Sequence, residues 1–228
     1  MLLRVPGLLT TDEVSVLRTQ LASAPWTDGK ATAGYQSALV KRNWQVVEES
    51  PEAKAMGKVI LQAMGRSPQV TSGAMPLFIF PPIFNRYDQG QGFGSHIDNA
   101  VRGLLLGSSG RMRTDVSATV FLTPPEEYDG GELVISGTFG EQSVKLAAGD
   151  AIIYPASSVH RVETVTRGSR LAVVMWMQSM LRDDGKRQVL YDLDVALGNL
   201  RRRGLAGEPE MVMLTGVYHN LMRQWIEM

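Results

Sequence analysis

Between residues 77 and 178 the chain never runs more than a few residues without meeting a turn former, and this limits what it can fold into. Pro81-Pro82, the glycines 90, 92 and 94, Pro124-Pro125, Asp129-Gly130-Gly131, Gly149-Asp150, Pro155 and Gly168 punctuate short runs rich in Val, Ile, Phe and Leu. No stretch in that interval is long enough at helical period to supply crossover helices. The pattern therefore predicts a sandwich or jelly roll rather than a βαβ fold. The predicted strands cover residues 77–80, 116–122, 132–136, 143–146, 151–154, 158–165 and 170–176, with glycine-rich turns at 90–94 and 137–142. Residues 99–114 read as a loop.

The flanks read differently. Thr11-Asp12-Glu13 starts a helix with early negative charge, and Val14, Leu17, Leu21 and Ala24 mark its apolar face. Residues 29–36 are turn-rich, and residues 38–47 are expected as a strand. Ser50-Pro51 starts a second helix, with Met56, Val59, Ile60 and Met64 on one side before Gly65. Residues 1–76 thus read as an αβ support and 77–178 as the β domain. Residues 179–228 read as a helical extension, with one helix from Asp183-Asp184 (face Val189, Leu190, Leu193, Leu197, Leu200). A second starts near Pro209 (face Leu214, Val217, Leu221, Met222, Trp225). Those faces must pack somewhere, and self-association into a homo-oligomer is the expected use.

Composition matters mainly for what it removes. The chain has no cysteine, which excludes disulfides, thiolate zinc sites, iron–sulfur clusters and thiol nucleophiles. Lys+Arg and Asp+Glu are both 23, so net charge points to neither nucleic acid nor an anionic membrane. The apolar run at the N-terminus is short and broken by Pro6 and Gly7. A cytoplasmic protein is expected.

Only three histidines are present, His96, His160 and His219. His96-Ile97-Asp98 puts an imidazole and a carboxylate two residues apart, on one face if the segment is extended. His160 lies in another strand-like segment. Two histidines and one carboxylate suit a non-haem Fe(II) site with open positions. They also suit a hydrolytic zinc, for which Glu132 and Glu163 are the candidate bases. Arg170, ten residues after His160 at a strand start, favours a dicarboxylate cosubstrate, since a planar guanidinium matches a carboxylate. Alone it would read as a strand-end surface residue. His219 receives no role.

The pattern Tyr87-x-x-Gly90-x-x-Phe93-x-x-His96-x-Asp98, followed by His160 and Arg170, resembles the prolyl-4-hydroxylase type of Fe(II)/2-oxoglutarate dioxygenase. Residues 86–102, 113–122, 128–133 and 160–168 are together similar to the bacterial PKHD-type hydroxylases, over nearly the full chain. The resemblance implies a double-stranded β-helix core, mainly β with flanking helices. It implies Fe(II) on His96, Asp98 and His160, and 2-oxoglutarate held by Arg170 with Tyr87 at the same end. Arg167 fits the pattern less well. Asp98 argues for hydroxylation, because halogenating relatives carry a small residue there. The resemblance further implies release of succinate and CO2, L-ascorbate as reductant, and a link to iron uptake or homeostasis. Asn99, Arg102 and Arg111, on the cationic loop after the metal strand, are the candidate substrate contacts, and the loop is expected to act as a lid. Two other readings stay open, a metal-dependent hydrolase and a non-catalytic module sensing iron or 2-oxoglutarate.

Overall fold

The structure is a computed structural model and describes residues 1–103 and 110–227. The chain opens with strand β1 (Leu3–Val5), helix α1 (Thr11–Ala22) and strand β2 (Trp26–Asp28). α1 begins as predicted. Thr10 Oγ1 accepts from the Glu13 N–H while the Glu13 carboxylate accepts from the Thr10 N–H, a reciprocal cap. Val14, Leu17 and Leu21 form its buried side.

The strand expected over residues 38–47 is split. Residues 35–40 form helix α2 (Tyr35–Val40), followed by β3 (Lys41–Arg42) and β4 (Trp44–Val46). β3 pairs with one sheet and β4 with the other, so the chain crosses between them at Asn43. Asn43 is buried, its carbonyl accepts from Gly29 and its amide donates to Asn85 Oδ1 at 2.8 Å. Helix α3 (Pro51–Arg66) has Ser50 as its cap and runs past Gly65. α4 (Pro68–Ala74) was not foreseen. Its Thr-Ser-Gly sequence has low helix propensity, and burial of Val70 and Ala74 supplies what propensity does not.

The β domain contains β5 (Pro76–Ile79), β6 (Ile83–Asp88), β7 (Gly92–His96), β8 (Val101–Gly103), β9 (Arg111–Arg113) and β10 (Val116–Phe121). It continues with β11 (Leu133–Gly137), β12 (Gly140–Val144), β13 (Ala151–Pro155), β14 (His160–Val162) and β15 (Ser169–Ser179). Among the described residues, one sheet has the order β1-β13-β10-β15-β6-β4-β2 with β5 added beside β15. The other has the order β12-β11-β14-β7-β3. Every pairing is antiparallel, and the two sheets form the jelly roll. Along β10 the faces alternate. Val116, Ala118 and Val120 join Leu17, Met56 and Ile60 in the core under the helices. Ser117 and Thr119 turn to the cavity between the sheets.

Two turn assignments need correction. Gly92 and Gly94 lie inside β7, where a Cβ on Gly92 would sit 2.9 Å from the Val162 carbonyl oxygen and one on Gly94 would sit 2.8 Å from Val40 Cβ. These glycines permit close approach within a strand. The segment 99–114 is not wholly a loop, because β8 and β9 pair with each other. Residues 104–109, the centre of the expected lid, lie outside the described residues.

α5 (Asp184–Arg202) and α6 (Pro209–Trp225) pack together and onto the domain. Met75, Leu181 and Leu190 are buried against Tyr218, Leu221, Met222 and Trp225. Arg187, 2% exposed, ties this junction by donating to the Leu181 carbonyl and Asp184. Val189, Leu214 and Val217, expected on the packing faces, are instead exposed. Among the described residues no helix is long and apolar enough to cross a membrane.

Candidate active site

β7 and β14 are neighbours, and His96 pairs with His160 in register. Asp98 lies two residues beyond the end of β7, so it reaches the site from the exit of the strand, not from within it. The donor atoms of His96, Asp98 and His160 all lie within 4.8 Å of one another. Each imidazole is aimed from behind. His96 Nδ1 bonds to the Gly94 carbonyl and His160 Nδ1 to the Ser158 carbonyl, both at 2.9 Å. A carbonyl only accepts, so both Nδ1 atoms carry the proton and both Nε2 lone pairs are left for a metal. Ser117 Oγ donates to Asp98 Oδ2 at 2.6 Å. His160 Nε2 is 3.7 Å from the same oxygen. The Phe93 ring stacks on His96 at 3.6 Å between centroids, and Tyr154 meets His160 edge-on at 5.2 Å. Burial, and then the neighbouring His160, bring the pKa of His96 down to about 4. At neutral pH His96 is therefore uncharged, with the Nε2 lone pair available to a metal. Two imidazole nitrogens and one carboxylate, with no thiolate available, fit a ferrous ion.

Arg170 stands on β15 opposite Tyr87 of β6. It is 1% exposed, and among the described residues no carboxylate lies within ion-pair distance of it. Among the described residues its Nε and Nη2 have no hydrogen-bond partner. The guanidinium carbon sits 5.3 Å from the ring centroids of both Tyr87 and Phe121. The Asp-Gly-Gly turn makes room for it. Gly131 has φ +68°, and a Cβ there would come within 3.0 Å of both Arg170 Cδ and the Tyr128 ring. A buried guanidinium with open donors is costly unless an anion reaches it. Arg167, by contrast, is exposed and paired with Asp129. Burial pushes the Tyr87 hydroxyl up to about 12 and raises that of Tyr154 as well, so both remain neutral donors.

Asn99 and Arg102 line the cavity with these groups, whereas Arg111 is exposed and lies outside it. Glu132 and Glu163, the candidate bases of a hydrolase, do not line the cavity, and they pair with Lys145 and Arg161. His219 lies beside Tyr218 on α6. Sequence reasoning missed Lys41, Gln45 and Asn85. Lys41, Asn43 and Gln45 are buried while Arg42 and Trp44 are exposed. This inverted alternation, polar inward and aromatic outward, was the available signal for a polar cavity wall. Gln45 and Asn43 both donate to Asn85 Oδ1 at 2.8 Å. Burial, and then Arg102, pull the Lys41 ammonium down to about 8.

Comparison with solved structures places the fold. A prolyl-4-hydroxylase from Pseudomonas putida superposes with TM-score 0.54 at 17% identity, covering 78% of this chain and 92% of that one. A prolyl hydroxylase from Trichoplax adhaerens gives TM-score 0.56 at 13% identity, over 83% and 86%. The family model of the 2OG-Fe(II) oxygenase superfamily matches residues 82–178, the segment that carries His96, Asp98, His160 and Arg170. Residues 82–178 thus match the superfamily of 2-oxoglutarate- and Fe(II)-dependent oxygenases, which are oxidoreductases. The model of the PKHD-type hydroxylase C-terminal domain matches residues 184–227, the two terminal helices. A PKHD-type hydroxylase of Paracoccus denitrificans is 52% identical over 227 residues, and one of Methylobacterium nodulans is 50% identical over 228, each covering 100% of both chains. The chain belongs to the PKHD-type hydroxylases. Membership implies Fe(II) and 2-oxoglutarate.

Proposed function

We propose that His96, Asp98 and His160 hold the Fe(II), that Arg170 receives the distal carboxylate of 2-oxoglutarate over the Tyr87 ring, and that the chain hydroxylates a substrate entering past Asn99 and Arg102. The observation that carries this reading is the buried guanidinium of Arg170, open at Nε and Nη2 and lining the same cavity as the three metal donors. When bound, the iron and 2-oxoglutarate supply O2-dependent oxidation of a C–H bond, coupled to conversion of the cosubstrate to succinate and CO2.

The chain's own residues do the positioning. The Nδ1–H bonds to Gly94 and Ser158 fix both imidazoles in the metal-binding tautomer. Ser117 orients Asp98 by holding one of its oxygens. Phe93 covers one face of the His96 ring, and Tyr154 packs edge-on against His160. Arg170, permanently charged, gives 2-oxoglutarate one orientation by a charge-assisted pair at its far end. On the strength of the family resemblance, L-ascorbate keeps the iron ferrous and the activity serves iron uptake or homeostasis in the cytoplasm. Exposed Val212, Met213 and Val217 on α6 support self-association through the C-terminal helices.

The test is incubation with Fe(II), 2-oxoglutarate and a metabolite library, followed by mass spectrometry. A compound that gains one oxygen with wild type and not with His160→Ala is the expected result. A library unchanged except for hydrolysis products would replace this reading with the hydrolase.

A further inference from the structure

Two cations line the cavity that are given no part in holding iron or 2-oxoglutarate by the assignment above. Lys41 on β3 is 5% exposed, and its Nζ makes one described hydrogen bond, to Thr32 Oγ1 at 3.2 Å. That oxygen itself donates to Gln45 Oε1, so it is held in place. An ammonium carries three donors, which leaves two without a described partner on a residue that lines the cavity, with Nζ 5.3 Å from the Phe93 ring centroid. Arg102 on β8 is half-buried, with its guanidinium carbon 4.0 Å from the Trp176 ring centroid and 4.6 Å from that of Phe80. Aromatic faces hold it at a fixed place on the wall. Among the described residues neither cation has a carboxylate within 4.0 Å, and residues 104–109 contain no acidic side chain. Glu48, Asp28 and Asp98 act on Lys41, and Glu48 and Asp98 on Arg102, only from beyond ion-pair distance.

The charge balance of the loaded site makes these two cations informative. On the reading proposed above, the ferrous ion and Arg170 are cancelled by Asp98 and the two carboxylates of 2-oxoglutarate. Lys41 and Arg102 then remain without a carboxylate in ion-pair contact on the same cavity wall, Glu48 acting on both only from farther away, and Arg102 is the leading charge acting against the Lys41 ammonium. Two like charges in a low-dielectric pocket are costly when the pocket is empty and attract an anion strongly. They are also separate from the cosubstrate end, where Arg170 rests on Tyr87 and Phe121.

We propose that the substrate carries an oxyanion, a carboxylate or a phosphate, and that Lys41 and Arg102 bind it together within the cavity of the iron site. This inference rests on the assignment of His96, Asp98, His160 and Arg170 given above. Both cations select the substrate, and neither touches the cosubstrate.

The experiment uses full-length protein with Mn(II) in place of Fe(II) and N-oxalylglycine filling the Arg170 end. Proton relaxation of benzoate, phenyl phosphate and neutral benzamide is then followed by NMR, since the paramagnetic ion relaxes only a probe held near it. Benzoate or phenyl phosphate should be relaxed in a saturable way and benzamide should not, and the better of the two anions identifies the group. Lys41→Met and Arg102→Met should each weaken the effect about tenfold or more, as expected for loss of one charge-assisted contact. Lys41→Arg should retain most of it, and Arg111→Gln, outside the cavity, should leave it unchanged. If Mn(II) and N-oxalylglycine bind but benzamide is relaxed as well as the two anions, this inference fails alone. If Mn(II) does not bind at the histidines, the assignment of the iron site fails and takes this inference with it.

Discussion

Replacing Arg170 with methionine separates what the residue does in the empty cavity from what it does in the loaded one. The guanidinium is 1% exposed and two of its nitrogens lack partners. Leaving each donor unpaired costs roughly 1–3 kcal/mol. The two ring contacts at 5.3 Å offset this, by about 0.5–2 kcal/mol each. These effects nearly cancel. A chain of this size changes Tm by about 2–4 °C per kcal/mol, so the ligand-free variant should melt within about 4 °C of wild type. The loaded protein should behave otherwise. At about 100 times Kd, 2-oxoglutarate stabilises wild type by ~2.7 kcal/mol, a rise of roughly 5–11 °C. Loss of a buried charge-assisted pair costs about 2–5 kcal/mol, at least about thirtyfold in affinity. The ligand then contributes under ~1 kcal/mol and the shift falls below about 4 °C. Thermal melting with Mn(II) present, with and without 2-oxoglutarate, reads both quantities. A wild-type shift in Arg170→Met would refute the assignment, and the same shift lost in Arg167→Met would transfer it to that residue.

His160→Ala should lose most Fe(II) affinity by anaerobic calorimetry while His219→Ala, on α6, binds as wild type. His96 titrates near 4 in the fold against 6.5 when unfolded. The unfolded chain therefore binds the extra proton in that window, so the contribution of His96 to metal-free stability should fall as pH drops from about 6.5 to about 4 and stay constant above about 6.5, with Lys41 adding a separate rise only above about 8. His96→Asn should flatten that slope in urea melts, and an unaltered slope would show that His96 is not the group responsible. Met213→Asp combined with Val217→Asp should lower the mass seen by light scattering without changing the circular dichroism, because both side chains are exposed on α6. An unchanged mass would remove that face from assembly.

Residues whose neighbours along the chain announced their environment were legible in the sequence. The apolar runs between glycine and proline turns marked most of the jelly roll, and Thr11-Asp12-Glu13, Ser50-Pro51 and Asp183-Asp184 marked three helix starts, whose caps are Thr10, Ser50 and Asp183. His96, Asp98 and His160 stood out because the chain has few histidines and one of them neighbours a carboxylate. What failed depended on distant partners. Residues 38–47 read as one strand because nothing local shows that Lys41 pairs with Phe93 while Trp44 pairs with Arg86. Gly92 and Gly94 looked like turn residues, and their reason is the backbone of β14 and the side chain of Val40. Lys41 went unnoticed for the same cause, since its burial follows from the sheet it joins. Arg102 and Arg111 looked equivalent on one loop, yet only Arg102 meets Trp176 and the cavity.

The central claim is that this cavity couples 2-oxoglutarate to dioxygen through a metal held by His96, Asp98 and His160. Succinate formation, followed by NMR with purified protein, Fe(II), ascorbate and 2-oxoglutarate in air, tests it most directly. The account predicts succinate from wild type, none under nitrogen or with a chelator, and none from His160→Ala. Succinate at the same rate from His160→Ala, or its absence from iron-loaded wild type even when candidate substrates are supplied, would contradict it.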